Sequence, residues 1–93
     1  MRRSKTPLMD HHLRHDRTVR LLASRLETLA VASMRAPGGE RMVRHHILAA
    51  VAATRHAVDL DLLSPAEADA IWADVAARHP AAGWCRSGPR LAA

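Results

Sequence analysis

The stretch Ala36-Pro37-Gly38-Gly39 decides how this 93-residue chain folds, because it separates two segments that both carry helical patterns. Proline cannot continue a helix, and the two glycines supply a turn. A connection of only about four residues sends the second helix back along the first. The sequence therefore predicts an antiparallel helical hairpin as the centre of the fold.

Upstream of this break, apolar residues recur at every third or fourth position and predict one long amphipathic helix. It begins at Thr6-Pro7, where the threonine hydroxyl can cap the helix and proline suits its first position, and it runs to about Arg35. Its apolar stripe consists of Leu8, Val19, Leu22, Leu26 and Leu29, with His12 and His15 filling the gap.

Two further helices are predicted downstream of the break. Glu40 opens the second, because a carboxylate is favourable at the positive end of a helix dipole. Ser64-Pro65-Ala66-Glu67 opens the third with a serine N-cap, a proline in the first turn and a glutamate at the capping-box position, and His79-Pro80 ends it. The residues predicted to be buried are Val43, Ile47, Ala50, Val51, Ala57 and Val58 on the second helix and Ala68, Ile71, Trp72 and Val75 on the third.

These elements predict an all-α fold in which the shorter third helix packs across the hairpin. Residues 7–79 form the three-helix domain, residues 1–6 are expected to be a flexible basic lead-in, and residues 80–93 a flexible tail without periodicity. The stripe of the first helix is longer than two short partners can cover. We therefore expect part of it to meet a second copy of the chain in a dimeric bundle.

Charge and composition narrow the class of protein. Residues 1–58 hold eleven basic and four acidic side chains, whereas residues 59–74 hold five acidic side chains and no basic one. The single Cys85 cannot form an intrachain disulfide, and we expect it to be an idle thiol. The longest apolar run, residues 47–53, is too short to span a bilayer, and no apolar segment typical of a secretion signal follows the basic start, so we expect a cytoplasmic protein.

The basic first third supports one functional hypothesis, a nucleic-acid-binding accessory protein. Arginine and lysine side chains on one helix can contact phosphates, and such binding depends strongly on salt. Single-strand binders usually stack bases on aromatic side chains, which this half of the chain lacks. The candidate nucleic-acid-binding residues are Arg2, Arg3, Lys5, Arg14, Arg17 and Arg20.

Histidines support a second hypothesis, a metal site. His11 and His15 lie one helical turn apart, which suits two imidazoles on one metal ion. Across the hairpin, Asp59 or Asp61 is expected to lie near residue 15. The alternative is that these histidines sit at the edge of the apolar stripe in solvent, and on that alternative no cofactor is expected.

A third set of residues suggests protein binding. Trp72 is expected to anchor the core, while Trp84 either docks back on the domain or anchors a partner, a role in which tryptophan is enriched. Arg41, Arg44 and His45 lie on the polar face of the second helix. That face either contacts a partner or is simply solvated.

Leu21-Leu22-Ala23-Ser24-Arg25 resembles the Leu-Leu-Ala-x-Arg motif of the all-helical chorismate mutases, which have one long helix followed by two shorter ones. Leu63-Ser64-Pro65 likewise resembles the entry to their third helix. The resemblance implies a helical enzyme in which Arg25 binds substrate. The chain departs from the family elsewhere, with Leu8 in place of an arginine, Ala36 in place of a lysine, and no glutamine in the third helix.

From the sequence we therefore expect a small protein–protein interaction or regulatory module without enzymatic activity of its own, whose partners include a second copy of itself. The alternatives are the nucleic-acid accessory protein, a chorismate-mutase-like enzyme and a histidine-based metal-binding protein.

Overall fold

The computed structural model describes residues 7–35, 38–86 and 88–91, with side chains from residue 12 onward. These ranges contain three α-helices and one short 3₁₀ helix. The helices are α1 (Pro7–Arg35), α2 (Glu40–Asp59) and α3 (Pro65–Arg78), and the 3₁₀ helix spans Gly83–Cys85. These ranges contain no strand. The prediction of an all-α fold with three helices is confirmed.

Two glycines make the turn into α2. Gly38 and Gly39 have φ angles of +90° and +54°, which residues other than glycine rarely adopt. A Cβ atom on Gly39 would also lie 3.1 Å from the carbonyl oxygen of Ser33. The backbone N–H groups of Arg41 and Met42 donate to the glycine carbonyls, each over 3.1 Å, and so begin the first turn of α2.

The link from α2 to α3 is fixed by backbone and cap hydrogen bonds. Leu62 donates its N–H to the carbonyl of Ala57 over 2.9 Å, with Asp61 in the left-handed region at φ +59°. Ser64 then caps α3: its Oγ accepts from the N–H of Glu67 over 3.0 Å, and its own N–H donates to Oε1 of Glu67 over 2.8 Å. The predicted capping box is confirmed.

The core lies where the three helices meet, and the residues that α2 contributes to it differ in part from those predicted. The predicted Ile47, Val51 and Val58 are only partly buried, whereas the deepest positions on α2 are Ala50 and Thr54. Small side chains let neighbouring helices approach closely, so these two positions sit against the rest of the core. The buried apolar residues of the helices are Leu22, Leu26, Leu29, Ala30, Val43, Ala50, Ala57, Ala68, Trp72, Val75 and Ala76.

The segment after α3 differs from the predicted flexible tail. Ala82, Trp84 and Cys85 are buried, and the Trp84 ring packs edge-on against Trp72 with ring centroids 5.8 Å apart. The Trp84 indole N–H also donates to Oγ of Ser33 near the end of α1 over 3.1 Å, so this segment is part of the core. The lead-in at residues 1–6 lies outside the described residues.

Residues 88–91 continue across α3. A Cβ atom on Gly88 would lie 2.5 Å from Cε3 of Trp72, so the backbone passes directly over the indole. The N–H of Leu91 donates to Oδ1 of Asp69 over 2.7 Å. We call residues 82–91, with residue 87 left out, the C-terminal segment.

No helix within the described ranges combines the length and the apolar character needed to cross a membrane.

Candidate interaction surfaces

The outer face of α1 carries three of the six residues that were predicted to bind nucleic acid. Arg14, Arg17 and Arg20 are exposed, and none of them forms an ion pair with a described carboxylate. Because they follow each other at three-residue intervals, they lie along one side of the helix. Arg2, Arg3 and Lys5 lie outside the described residues. The structure thus places half of the predicted basic set together on one helix face.

Of the three predicted partner-binding residues on α2, one lines a groove. Arg41, Arg44 and His45 are all exposed. Arg44 lines a groove, together with an edge of Trp84, whereas Arg41 and His45 do not. The His45 ring instead lies beside that of His46, with centroids 5.4 Å apart. Trp84 is only 7% exposed, so it is mainly a core residue and not an exposed anchor.

We call this groove, which runs between α2 and the C-terminal segment, the α2 groove. Its volume is about 380 Å³, its floor is Trp72 and Trp84, and one wall is formed by residues 88–89. Arg44 and Arg55 stand on its α2 wall, eleven positions and therefore about 16 Å apart along the helix axis. The apolar residues between them are Ile47, Leu48 and Val51.

His15 contacts a different carboxylate from the one predicted. Its Nε2 lies 2.6 Å from Oε2 of Glu67, and its Nδ1 lies 3.4 Å from Oδ1 of Asp16. The hydrogen bonds to Glu67 and then Asp16 raise the pKa of His15. The expectation that Asp59 or Asp61 would lie beside residue 15 is wrong, because α3 places Glu67 there instead.

The predicted metal ligands do not assemble into a larger set within the described residues. The side chain of His11 lies outside them, and no group of three or more histidine, cysteine, aspartate or glutamate side chains that could hold a metal occurs among the rest. His15 therefore acts in the described part of the chain as a partner of carboxylates.

Sequence reasoning missed a second histidine–carboxylate pair between α1 and α3. Glu27 accepts a hydrogen bond from Nε2 of His79 and forms an ion pair with Arg78, whose Nη2 lies 3.2 Å from Oε1 of Glu27. The hydrogen bond from His79, followed by the charge of Arg78, lowers the pKa of Glu27. The one feature of the sequence that could have indicated this pair is the position of Glu27 beside the leucine stripe of α1. We call His15, Glu27, Glu67, Arg78 and His79 the α1–α3 edge.

The remaining candidates for a chemical role are Cys85 and Arg25. Burial, and then the charge of Glu27, raises the pKa of the Cys85 thiol to about 11, so it stays protonated at neutral pH and is a poor nucleophile. Arg25 lines a shallow depression of about 170 Å³ with Thr18, Leu21 and Ala53, in which it is the one charged side chain among the described residues.

No protein family, curated protein or solved structure matches this chain.

Proposed function

We propose that this protein is a small protein–protein interaction module that forms a homodimer through the side of α2 turned away from Trp72. The observation that carries the proposal is a second apolar stripe on α2. Met42, Ala49, Ala53 and Leu60 follow at intervals of seven, four and seven residues, which places them on one side of the helix. All four are exposed, Met42 by 66% and Leu60 by 55%. We call this stripe, together with Leu21, the dimer face.

The neighbouring part of α1 extends this face. Leu21 is 64% exposed and lines the same shallow depression as Ala53. A contiguous exposed apolar patch is typical of an interaction site, because covering it with a partner contributes about 25 cal/mol per Å² of apolar surface. The small Ala49 and Ala53 in the middle of the face allow another helix to approach closely.

A second copy of the chain fits this face by charge. In the proposed dimer, the α1–α2 hairpins of two copies pack into a four-helix bundle, with α3 on the outside of each. The exposed Arg14 and Arg17 lie near the start of α1, and the exposed Asp59 and Asp61 at the end of α2. In a hairpin these two regions share one end, so a dimer with aligned ends brings arginines of one protomer toward aspartates of the other.

The mass in solution tests the proposal. At about 0.1 mM we expect sedimentation equilibrium to give twice the 10.2 kDa of the single chain, because a dimer is favoured at high protomer concentration. Ala53→Glu should give a monomer with unchanged helix content by circular dichroism, since it places a charge in the centre of the face. Leu48→Glu is the matched control, an exposed position on the other side of α2, and should remain dimeric. A native chain that sediments as a monomer would contradict the proposal.

Binding of nucleic acid is the second candidate function, and the observation that favours it is the set Arg14, Arg17 and Arg20 on one exposed face of α1. If all three contact phosphates of duplex DNA, the logarithm of the affinity should fall against the logarithm of salt concentration with a slope of about −2.7. Replacing the three arginines by serine should abolish this slope. Affinity that does not change with salt would exclude this function.

A further inference from the structure

We propose that the α2 groove binds an acidic amphipathic helix from a partner protein. The groove lies on a different side of α2 from the dimer face, so this proposal goes beyond the proposed function and does not depend on it. Three properties of the groove support it: the two arginines, the apolar surface between them, and the fixed wall opposite.

The arginines give the groove its charge preference. Neither Arg44 nor Arg55 forms an ion pair with a described carboxylate, although Glu40 lines the same groove one turn before Arg44. Both guanidinium groups are therefore available to carboxylates of another molecule, and arginine binds carboxylates with two parallel hydrogen bonds. The two arginines occupy helix positions about 16 Å apart along the axis, which matches the spacing of two acidic residues about eleven positions apart on a second helix.

The surface between the arginines supplies apolar anchor points. Leu48 is 60% exposed, and Ile47 and Val51 are partly buried beside it. A helix that lies in a groove presents apolar residues at intervals of three and four, and those would fall between its two acidic residues. The partner helix therefore has an acidic residue at each end of an apolar stripe of about two turns.

This pattern does not suit nucleic acid. Single-stranded nucleic acid binds where aromatic rings are open for stacking, and the rings on the floor of this groove, Trp72 and Trp84, are 2% and 7% exposed. Leu48, Ile47 and Val51 offer no hydrogen bond to a phosphate or a base edge. The apolar centre of the groove therefore favours a protein helix.

The wall opposite α2 is held in place before any partner arrives. Gly88 packs directly on the Trp72 indole, and the hydrogen bond from Leu91 to Asp69 fixes the chain three residues later. A preformed groove loses little conformational freedom on binding, which favours affinity.

A designed peptide tests the proposal on the full chain. The probe is a fluorescein-labelled helical peptide of about 18 residues, with two glutamates eleven positions apart and leucines at helical spacing between them. Binding is measured by fluorescence anisotropy at about 0.15 M salt, where long-range charge effects are largely screened. We expect saturable binding, and at least about tenfold weaker binding of a peptide with the same composition in scrambled order.

Variants of the chain assign the binding to the groove. The double variant Arg44→Glu, Arg55→Glu should weaken binding at least about tenfold, because it replaces two attractions by two repulsions. Arg20→Glu is the control, an exposed arginine on α1 outside the groove, and should change the affinity less than about threefold. Leu48→Ala should weaken binding, whereas Leu13→Ala on α1 should not.

Three results would overturn the proposal. The first is no binding, or equal binding of the scrambled peptide. The second is single-stranded DNA binding as tightly as the peptide with the same dependence on Arg44 and Arg55, which would make the groove a general polyanion site. The third is loss of the dimer in the Arg44→Glu, Arg55→Glu variant, which would assign the groove to self-association. A monomeric native chain that still binds the peptide would contradict the dimer alone.

Discussion

Two regions hold the elements of the molecule together by opposite means. The tryptophan junction, which consists of Ser33, Thr54, Trp72 and Trp84, is buried and uncharged. Trp72 donates its indole N–H to Oγ1 of Thr54, and Trp84 donates to Oγ of Ser33, each over 3.1 Å. Each hydroxyl in turn donates to a carbonyl of its own helix, Thr54 to Ala50 and Ser33 to Ala30.

The α1–α3 edge consists of charged and titratable groups near the surface. His15 contacts Glu67 at one end of α3, and Glu27 contacts Arg78 and His79 at the other. Exposed ion pairs stabilise proteins only weakly, because water and salt screen them. The junction is therefore expected to supply most of the stability of the fold, and the edge its response to pH.

The largest effect should come from removing an indole of the junction. Trp72→Ala is expected to lower the free energy of unfolding by about 3–5 kcal/mol, because it leaves a cavity in the core. The loss should be nearly the same at all pH values at which the native protein folds. Chemical denaturation followed by circular dichroism measures it, and Leu13→Ala, at an exposed position, should change the value by less than about 0.5 kcal/mol. A small loss for Trp72→Ala would contradict the statement that the junction supplies most of the stability.

Gly88→Ala should have the next largest effect. The added Cβ atom would lie 2.5 Å from Cε3 of Trp72, so the C-terminal segment has to move away, at a cost of about 1–3 kcal/mol. Acrylamide should then quench tryptophan fluorescence more strongly than in the native chain. Gly83→Ala is the matched control, since its Cβ atom would meet only the Arg86 side chain at 3.5 Å. Equal quenching in both variants would contradict the close packing of Gly88 on the indole.

Thr54→Val separates the hydrogen bond of the junction from its packing. Valine has nearly the same shape as threonine but leaves the indole N–H of Trp72 without an acceptor, so we expect a loss of about 1–3 kcal/mol. Thr28 on α1 also donates to a carbonyl four residues earlier, but it is exposed and has no indole partner. Thr28→Val should therefore be almost neutral in the same denaturation experiment. If the two valine variants lose the same stability, the indole hydrogen bond contributes nothing.

The smallest effect concerns the edge and depends on pH. The pKa of His15 is raised above 6.5, so its contribution to stability is complete below 6.5 and is lost as pH rises through the folded-state value. The pKa of Glu67 is lowered below 4.5, chiefly by the hydrogen bond from the Ser64 backbone and then by His15, so its contribution is present above 4.5 and is lost in stronger acid. The pair therefore stabilises most between these two values.

His15→Gln tests that pH window. The variant should lose more stability relative to the native chain at about pH 5.5 than at about pH 8.5, as measured by urea denaturation. Thr28→Val, which changes no titratable group, should show no such difference. An equal loss for His15→Gln at both pH values would show that charge plays no part in the contact.

Local signals were sufficient to predict the helices. The proline at the first position of α1, the glycines before α2 and the serine–glutamate capping box before α3 each act through neighbouring backbone groups. Such signals are complete within a few residues of sequence. Trp72 was identified as a core residue for the same reason, because helical spacing alone places it beside Ala68 and Val75.

Contacts between distant segments could not be predicted in this way. Trp84 lies in a segment without periodicity, and its burial depends on the hydroxyl of Ser33, which is 51 residues earlier. The partner of His15 depends on the path of α3 along α1, which the spacing within each helix does not determine. The α2 groove has the same origin, since one wall comes from α2 and the other from the C-terminal segment.

The burial of Cys85 gives the molecule a built-in reporter of local opening. Its thiol is enclosed and its pKa is about 11, so an alkylating reagent can reach a reactive thiolate only when the C-terminal segment separates from the helices. The rate of alkylation then follows the fraction of time for which that segment is detached. A ligand seated against residues 88–89 would slow this reaction without touching the sulfur atom.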